Sequence, residues 1–344
     1  MPSSNLVIIA AAGARKTERV VDTALADPTK RTLIVTYTNE NQREITARIQ
    51  RKTGVIPANV EVMGWFAFLI NECARPFQRS VFGQPHYLRR LNFIGNKPDY
   101  IAKTNPAYFF DRHHDIYRDG VSDFAVLANT NTNASVIRRL ERAYDHILID
   151  EVQDLTGFDL DLLDLLLRSQ IEITAVGDPR QFMIRTTNAT RNRKYCGTGI
   201  VDWFKERADI CQLEEQCYSY RCRKEICEFA DALFPAMPDT ESRNNSEDEH
   251  VGTFVIGATE VTAYVEKYTP TILTYDKNRD TQGFPGMNIG MAKGSTHDRV
   301  LIFPSGTMLA YVKSRDLAKF REPSKLYVAV TRARFSATFV DPST

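Results

Sequence analysis

Residues 6–17 read LVIIAAAGARKT, and the order of their parts decides the fold. An apolar, β-branched run at residues 6–10 turns through small residues into a Lys-Thr pair, and residues 17–26 then have helical spacing. Such a turn lets backbone N–H groups converge on phosphate oxygens. Lys16 adds a countercharge and Thr17 a hydroxyl suited to magnesium. Two residues depart from the usual pattern: Ala10 stands at the first glycine and Arg15 at the glycine before the lysine. The Arg15 guanidinium would either crowd the cradle or itself reach phosphate. Taken alone, the segment also reads as a plain helix start after a strand.

Outward from this stretch the same alternation repeats. Residues 32–37 (TLIVTY) form a second apolar run, followed by helical spacing over 40–50. Residues 60–63, 147–149 and 173–176 are further short runs, the last two ending in acidic turns. Short apolar strands alternating with helices predict an α/β fold with parallel sheets, which bind ligands at the carboxyl ends of their strands. Between about residues 73 and 132 the pattern loosens into a helical, loop-rich insertion. Residues 235–250 read as a solvated loop. Apolar runs resume at 271–275, 300–303 and 327–330. The expected organisation is two tandem domains, 1–210 with the insertion and 211–344.

Composition narrows the class. The 344 residues carry 44 Lys+Arg against 43 Asp+Glu, a net charge of +1, so any basic surface must be local. No apolar run is long enough to span a bilayer, and the first residues lack the basic start of a cleaved leader, so a cytoplasmic protein without membrane contact is expected. Cys211, Cys217, Cys222 and Cys227 are separated by five, four and four residues, not paired as CxxC. Reduced thiols, and no resident metal cluster, are the expectation.

Chemistry gathers at the strand ends. Residues 147–154 (ILIDEVQD) close an apolar strand with Asp150 and Glu151. One acid can hold magnesium while its neighbour orients or deprotonates an attacking water. Either acid alone would also serve as a helix N-cap. Residues 175–181 (AVGDPRQ) end a second strand in a similar way.

Taken in order, these words resemble the superfamily 1 helicases of the UvrD/Rep type. AAAGARKT is similar to motif I, residues 36–49 (TYTNENQREITARI) to motif Ia, and residues 62–66 (VMGWF) to the next DNA-contacting motif. LIDEVQD resembles motif II and VGDPRQ motif III. Residues 219–222 (SYRC), 290–302 (GMAKGSTHDRVLI) and 326–334 (LYVAVTRAR) resemble the NYRS motif, motif V and motif VI. The resemblance implies two RecA-like P-loop NTPase domains using ATP and Mg2+. Gly13, Ala14, Arg15, Lys16, Thr17 and Gly294 would surround the phosphates, with Thr17 and Asp150 on the metal. Glu151 would be the base, Gln181 the γ-phosphate sensor, Tyr220 the platform under adenine, and Arg221 and Arg332 arginine fingers. Thr36, Asn39, Arg43 and Lys293 would contact the DNA backbone, and Trp65, Phe66, Phe182 and Arg185 would stack on bases. Trp65 and Phe66 read equally well as core aromatics. Arg191, Arg193 and Lys194 form a local basic loop.

The implied activity is ATP-dependent translocation on, or unwinding of, DNA in the 3′ to 5′ direction, with single-stranded DNA as partner. Three features depart from the family. The upstream glutamine motif is not found, Thr296 stands where a ribose-contacting Glu is common, and only 68 residues separate Arg221 from Gly290. A compact motor of this kind resembles chains of anti-phage systems such as the Gabija type, where a nuclease subunit is the partner. The alternative reading is a catalytically degenerate nucleotide- or DNA-binding regulatory subunit of a larger nuclease-containing complex. A third reading is an RNA-directed motor.

Overall fold

The computed structural model describes residues 5–82, 88–95, 97, 98, 100–183, 185–277 and 279–344. Residues 1–4, part of the stretch read as lacking a leader, and 83–87, within the expected insertion, lie outside the described residues. The chain divides into two compact units. One comprises residues up to Ile9 with Lys16–Glu214; the other comprises Ala10–Arg15 with Glu215–Thr344. The small-residue turn thus groups with the later half of the chain, although the strand before it and the helix after it belong to the first unit.

The first unit is built on one sheet. Its strands are β1 (Leu6–Ala10), β2 (Thr32–Thr36), β3 (Val60–Gly64), β4 (His146–Asp150), β5 (Glu172–Gly177) and β6 (Gln212–Gln216), in the order β3-β2-β4-β5-β1-β6. Leu33 lies opposite Ile147, Leu148 opposite Thr174 and Val7 opposite Ala175, all in parallel register. Strands β1, β2, β4 and β5 are buried on both faces, which explains their unbroken apolar runs. Helices α1 (Lys16–Leu25) and α2 (Asn39–Thr53) follow β1 and β2. The Thr38 hydroxyl accepts the Asn41 N–H at 3.1 Å and starts α2, and Gly54 at φ +79° ends it.

The insertion has a core of its own. Leu91–Asn92 pairs in parallel with Ile116–Tyr117, ahead of α3 (Val121–Asn131). Phe124 packs edge-on against Phe109 and Phe110, with centroids 5.4 and 5.5 Å apart. Helix α4 (Phe158–Leu167) buries five leucines.

The second unit carries β7 (Gly252–Gly257), β8 (Thr271–Thr274), β9 (Gly286–Asn288), β10 (His297–Phe303) and β11 (Ala333–Asp341). The order is β7-β11-β10-β8-β9, parallel throughout. Helices α5 (Lys224–Asp231), α6 (Val261–Tyr268) and α7 (Pro323–Val330) pack with it. Residues 327–330, read as an apolar run, are the end of α7. That end is buried all round, so no polar face shows its helical period. The 235–250 segment is mostly exposed, as its composition implies, yet parts of it are held in place. Glu241–Ser242 pairs with Tyr218–Ser219, and the His250 ring is sandwiched between Phe254 and Tyr268 at 4.1 and 4.2 Å. Among the described residues no helix is long and apolar enough to cross a membrane, and the six cysteines are free thiols.

Candidate nucleotide and nucleic-acid site

In the first unit the side chain of Gln153 joins the carboxyl ends of β4 and β5. Asp150, Glu151 and Asp178 are all buried. The Glu151 N–H donates to Asp150 Oδ1 at 3.1 Å, and Glu151 itself sits at φ +60°, a left-handed conformation seldom adopted by a residue with a β-carbon. Gln153 bridges the two turns: its amide NH2 donates to Glu151 Oε2, and its carbonyl accepts the Asp178 N–H at 3.0 Å. A β-carbon at Gly177 would run into Gln153, so the approach needs glycine there.

Asp178 accepts from Arg180 Nε at 3.0 Å and from Gln181 Nε2 at 2.8 Å. Burial pushes its carboxyl upward, but the charges of Arg180 and Lys16 and these hydrogen bonds outweigh it and hold the group below its ordinary value. Lys16, Asp178 and Gln181 therefore belong to one electrostatic neighbourhood within this unit. Arg180, which forms its buried ion pair with Asp178, was passed over in the sequence reading although it lies inside VGDPRQ.

In the second unit the turn at residues 10–15 rests on the SYRC segment. The Tyr220 N–H donates to Gly13 O at 3.0 Å, and the Ala12 N–H donates to the Tyr327 hydroxyl at 3.2 Å. A β-carbon at Gly13, whose φ is +82°, would collide with Ser219 Oγ and stand 2.6 Å from Arg221 Cβ. The side chain of Arg15 lies over the Tyr220 ring with its guanidinium carbon 4.1 Å from the centroid, and its φ is +60°. Arg243 donates to the Tyr220 hydroxyl at 3.2 Å.

Two arginines are held by neutral acceptors. Arg221 Nη1 donates to Thr331 O at 3.0 Å. Arg332, wholly buried, donates to Val328 O at 3.1 Å, Ser295 O at 3.3 Å and Thr331 Oγ1 at 3.4 Å. Their charge registers on neighbours. Burial, then Arg332 and Arg221, press His297 below its ordinary value. A hydrogen bond with Cys227, aided by Arg221 and Arg332, draws the Cys222 thiol down against the upward push of burial. Gly294 is exposed at φ +93° in the turn before β10, beside Lys293.

The expected nucleic-acid residues divide in two. Asn39, Arg43 and Arg185 are exposed, and Phe66 and Phe182 are half-buried. Thr36 and Trp65 are corrected to core positions. The Thr36 hydroxyl is buried, and the Trp65 ring is buried with its Nε1 donating to Asp159 at 3.0 Å. Tyr37, unread between Thr36 and Asn39, packs on Phe66 with centroids 5.8 Å apart. In the basic loop Arg191 pairs with Asp161 at 2.5 Å, and the exposed Lys194 lies 3.7 Å from Glu206.

Residues 101–190 match the family model of the UvrD/REP helicase N-terminal domain, a segment that includes Asp150, Glu151, Asp178 and Gln181. The chain is similar in structure to the arterivirus nonstructural protein 10 helicase, with a TM-score of 0.52 and 14% identity over 98% of this chain and 60% of that one. It also aligns with the PRRSV helicase (TM-score 0.48, 16% identity, 98% and 52% covered). A third match is arterivirus nonstructural protein 10 in complex with DNA (TM-score 0.49, 14% identity, 98% and 61% covered). The chain thus spans about 60% of the length of the first of these helicases. No curated protein sequence matches it. The two α/β units with parallel sheets share their fold with the arterivirus helicase, and residues 101–190 are similar to a UvrD/REP helicase N-terminal domain.

Proposed function

We propose that the chain is an ATP-dependent motor on single-stranded DNA. In this reading the backbone of residues 10–15 and Lys16 receive the triphosphate and Tyr220 lies against the base. Glu151 orients and deprotonates the attacking water, and Gln181 senses the γ-phosphate. Arg221 and Arg332 stabilise the charge that develops on the transferred phosphoryl group. Thr17 and Asp150 would hold magnesium, which spreads phosphate charge when bound. The buried, acid-rich end of β4 and the small-residue turn suit that ion and its triphosphate. DNA would run over Asn39, Arg43, Phe66, Phe182, Arg185 and Lys293, in the 3′ to 5′ direction implied by the family resemblance.

The observation that carries the reading is the seating of Gly13 directly on Ser219 and Arg221. A loop shaped to take phosphate packs, without room for one added methyl group, against a guanidinium-bearing segment whose charge also depresses His297. Phosphate release from ATP and magnesium, with and without single-stranded DNA, tests it. Stimulation by the strand, abolished in Lys16→Ala and Glu151→Gln, is expected; a response indifferent to DNA would reject the motor. The position of Arg15 over Tyr220 favours a second reading, a regulatory subunit that holds nucleotide without turning it over. Measurable nucleotide affinity with no turnover in the presence of DNA would select it. A nuclease subunit as partner, and RNA in place of DNA, belong to the same proposal and are separated by co-purification and by comparing the two strands as activators.

A further inference from the structure

Eight large hydrophobic side chains stand well exposed among the described residues, and three fall within the insertion: Phe93 at 61%, Ile94 at 96% and Tyr100 at 90%. Clustered apolar exposure marks a surface that meets something. The tip that presents Phe93 and Ile94 is built rather than loose. Asn92 Oδ1 accepts the N–H groups of Ile94 at 3.0 Å and Gly95 at 2.7 Å, while Asn92 Nδ2 donates to Asp111 at 2.8 Å. Beneath the tip, Phe93 meets Phe66 edge-on with centroids 5.6 Å apart, and Phe66 meets Tyr37 at 5.8 Å. Three rings therefore step outward from the carboxyl end of β2, and the outermost belongs to the insertion.

Charge names the occupant. Residues 88–98 (LRRLNFIGNKP) contain three cations and no acid. Arg90 pairs with Asp115 at 2.8 Å, whereas Arg89, and Arg43 on α2, are exposed and have no ion-pair partner among the described residues. Aromatic faces interleaved with cations suit a strand that offers bases and phosphates in alternation. A purely apolar protein surface would find those cations costly to cover.

We propose that the Phe93–Ile94 tip is a base-stacking site for single-stranded nucleic acid, extending the strand track into the insertion. This rests on the motor reading above. Phe93 carries the stacking, Ile94 packs on the sugar-base edge, and Arg89 and Arg43 contact phosphate.

The test is fluorescence anisotropy of a labelled oligothymidylate with the full chain over a range of salt. Phe93→Ala should weaken binding roughly 5- to 20-fold, the loss of about one stacked base, with an unchanged salt slope because no phosphate contact is removed. Phe93→Tyr should restore it, and Ile94→Ser should weaken it about 2- to 5-fold. Arg89→Ala should lower the salt slope by about one. Both tip side chains are exposed, so truncation leaves the core intact, and an unchanged thermal melt checks this. If wild type binds the strand and Phe93→Ala binds equally well, the tip assignment is overturned while the motor reading stands. If wild type binds no strand, both fall. Self-association lost in Phe93→Ala, with strand binding unchanged, overturns the assignment in favour of a contact between copies.

Discussion

The strand ends of the first unit and the arginine cluster of the second handle charge in opposite ways. At β4 and β5 the acids bond to their own unit: Gln153 ties Glu151 to the Asp178 backbone, and Arg180 and Gln181 donate to Asp178. In the second unit Arg221 donates to the Thr331 carbonyl, and Arg332 to the carbonyls of Val328 and Ser295 and the Thr331 hydroxyl, contacts that orient each guanidinium. Burial first, and then Arg332 and Arg221, hold His297 below its ordinary value, while the Cys227 hydrogen bond first, with Arg221 and Arg332 adding to it, lowers Cys222. Under the proposed motor, the first network would serve the attacking water and the second the charge on phosphate.

The largest effect is expected at the proposed base in the acid network. Glu151→Gln should cut ATP turnover by about 10²- to 10³-fold while leaving nucleotide affinity within a fewfold, measured by phosphate release and equilibrium titration.

Next comes a control on the strand track. Trp65→Phe should lower unfolding free energy by about 1–2 kcal/mol, because it removes the bond to Asp159, a buried carboxyl that burial pushes upward and that Ser122, Thr186 and Trp65 restrain. Denaturant midpoints measure that loss, and strand affinity should stay at the wild-type value.

A pH series sharpens the electrostatic half of the comparison. His297 in the folded chain titrates below its ordinary value of 6.5, so the unfolded chain takes up the proton first. The stability it contributes is complete above about pH 6.5 and is lost as pH falls toward the folded value. Arg332→Met removes a repelling charge, raises His297 toward 6.5 and flattens that loss. Proton-titration NMR of the imidazole and melts between neutral pH and about pH 5.5 record both.

The smallest effect concerns Arg15. Arg15→Gly frees the Tyr220 face and relaxes the φ +60° backbone, and should tighten adenine-nucleotide binding about 2- to 5-fold by competition titration.

The parallel α/β architecture was legible because the four central strands β1, β2, β4 and β5 are buried on both faces and end in acids or small residues. β1 is observed over the very residues read for it, and β4 and β5 within one residue at each end. What was hidden depends on partners distant in sequence. Trp65 belongs to the core because of Asp159, 94 residues away. Arg15 finds Tyr220 across more than half the chain, and no spacing rule reports that. The end of α7 lacks a polar face, and β7 and β11 flank loops whose composition hid them. Phe93 reads as one aromatic among many until the Asn92 turn lifts it into solvent.

The most direct test of the central claim separates binding from chemistry at Arg332. With single-stranded DNA present, Arg332→Lys should lower kcat for ATP by about 10²-fold or more, as loss of a fork-shaped cation from a phosphoryl transition state requires, with nucleotide Kd changed no more than about threefold. An unchanged kcat, or a Kd that worsens in step with it, would contradict the account.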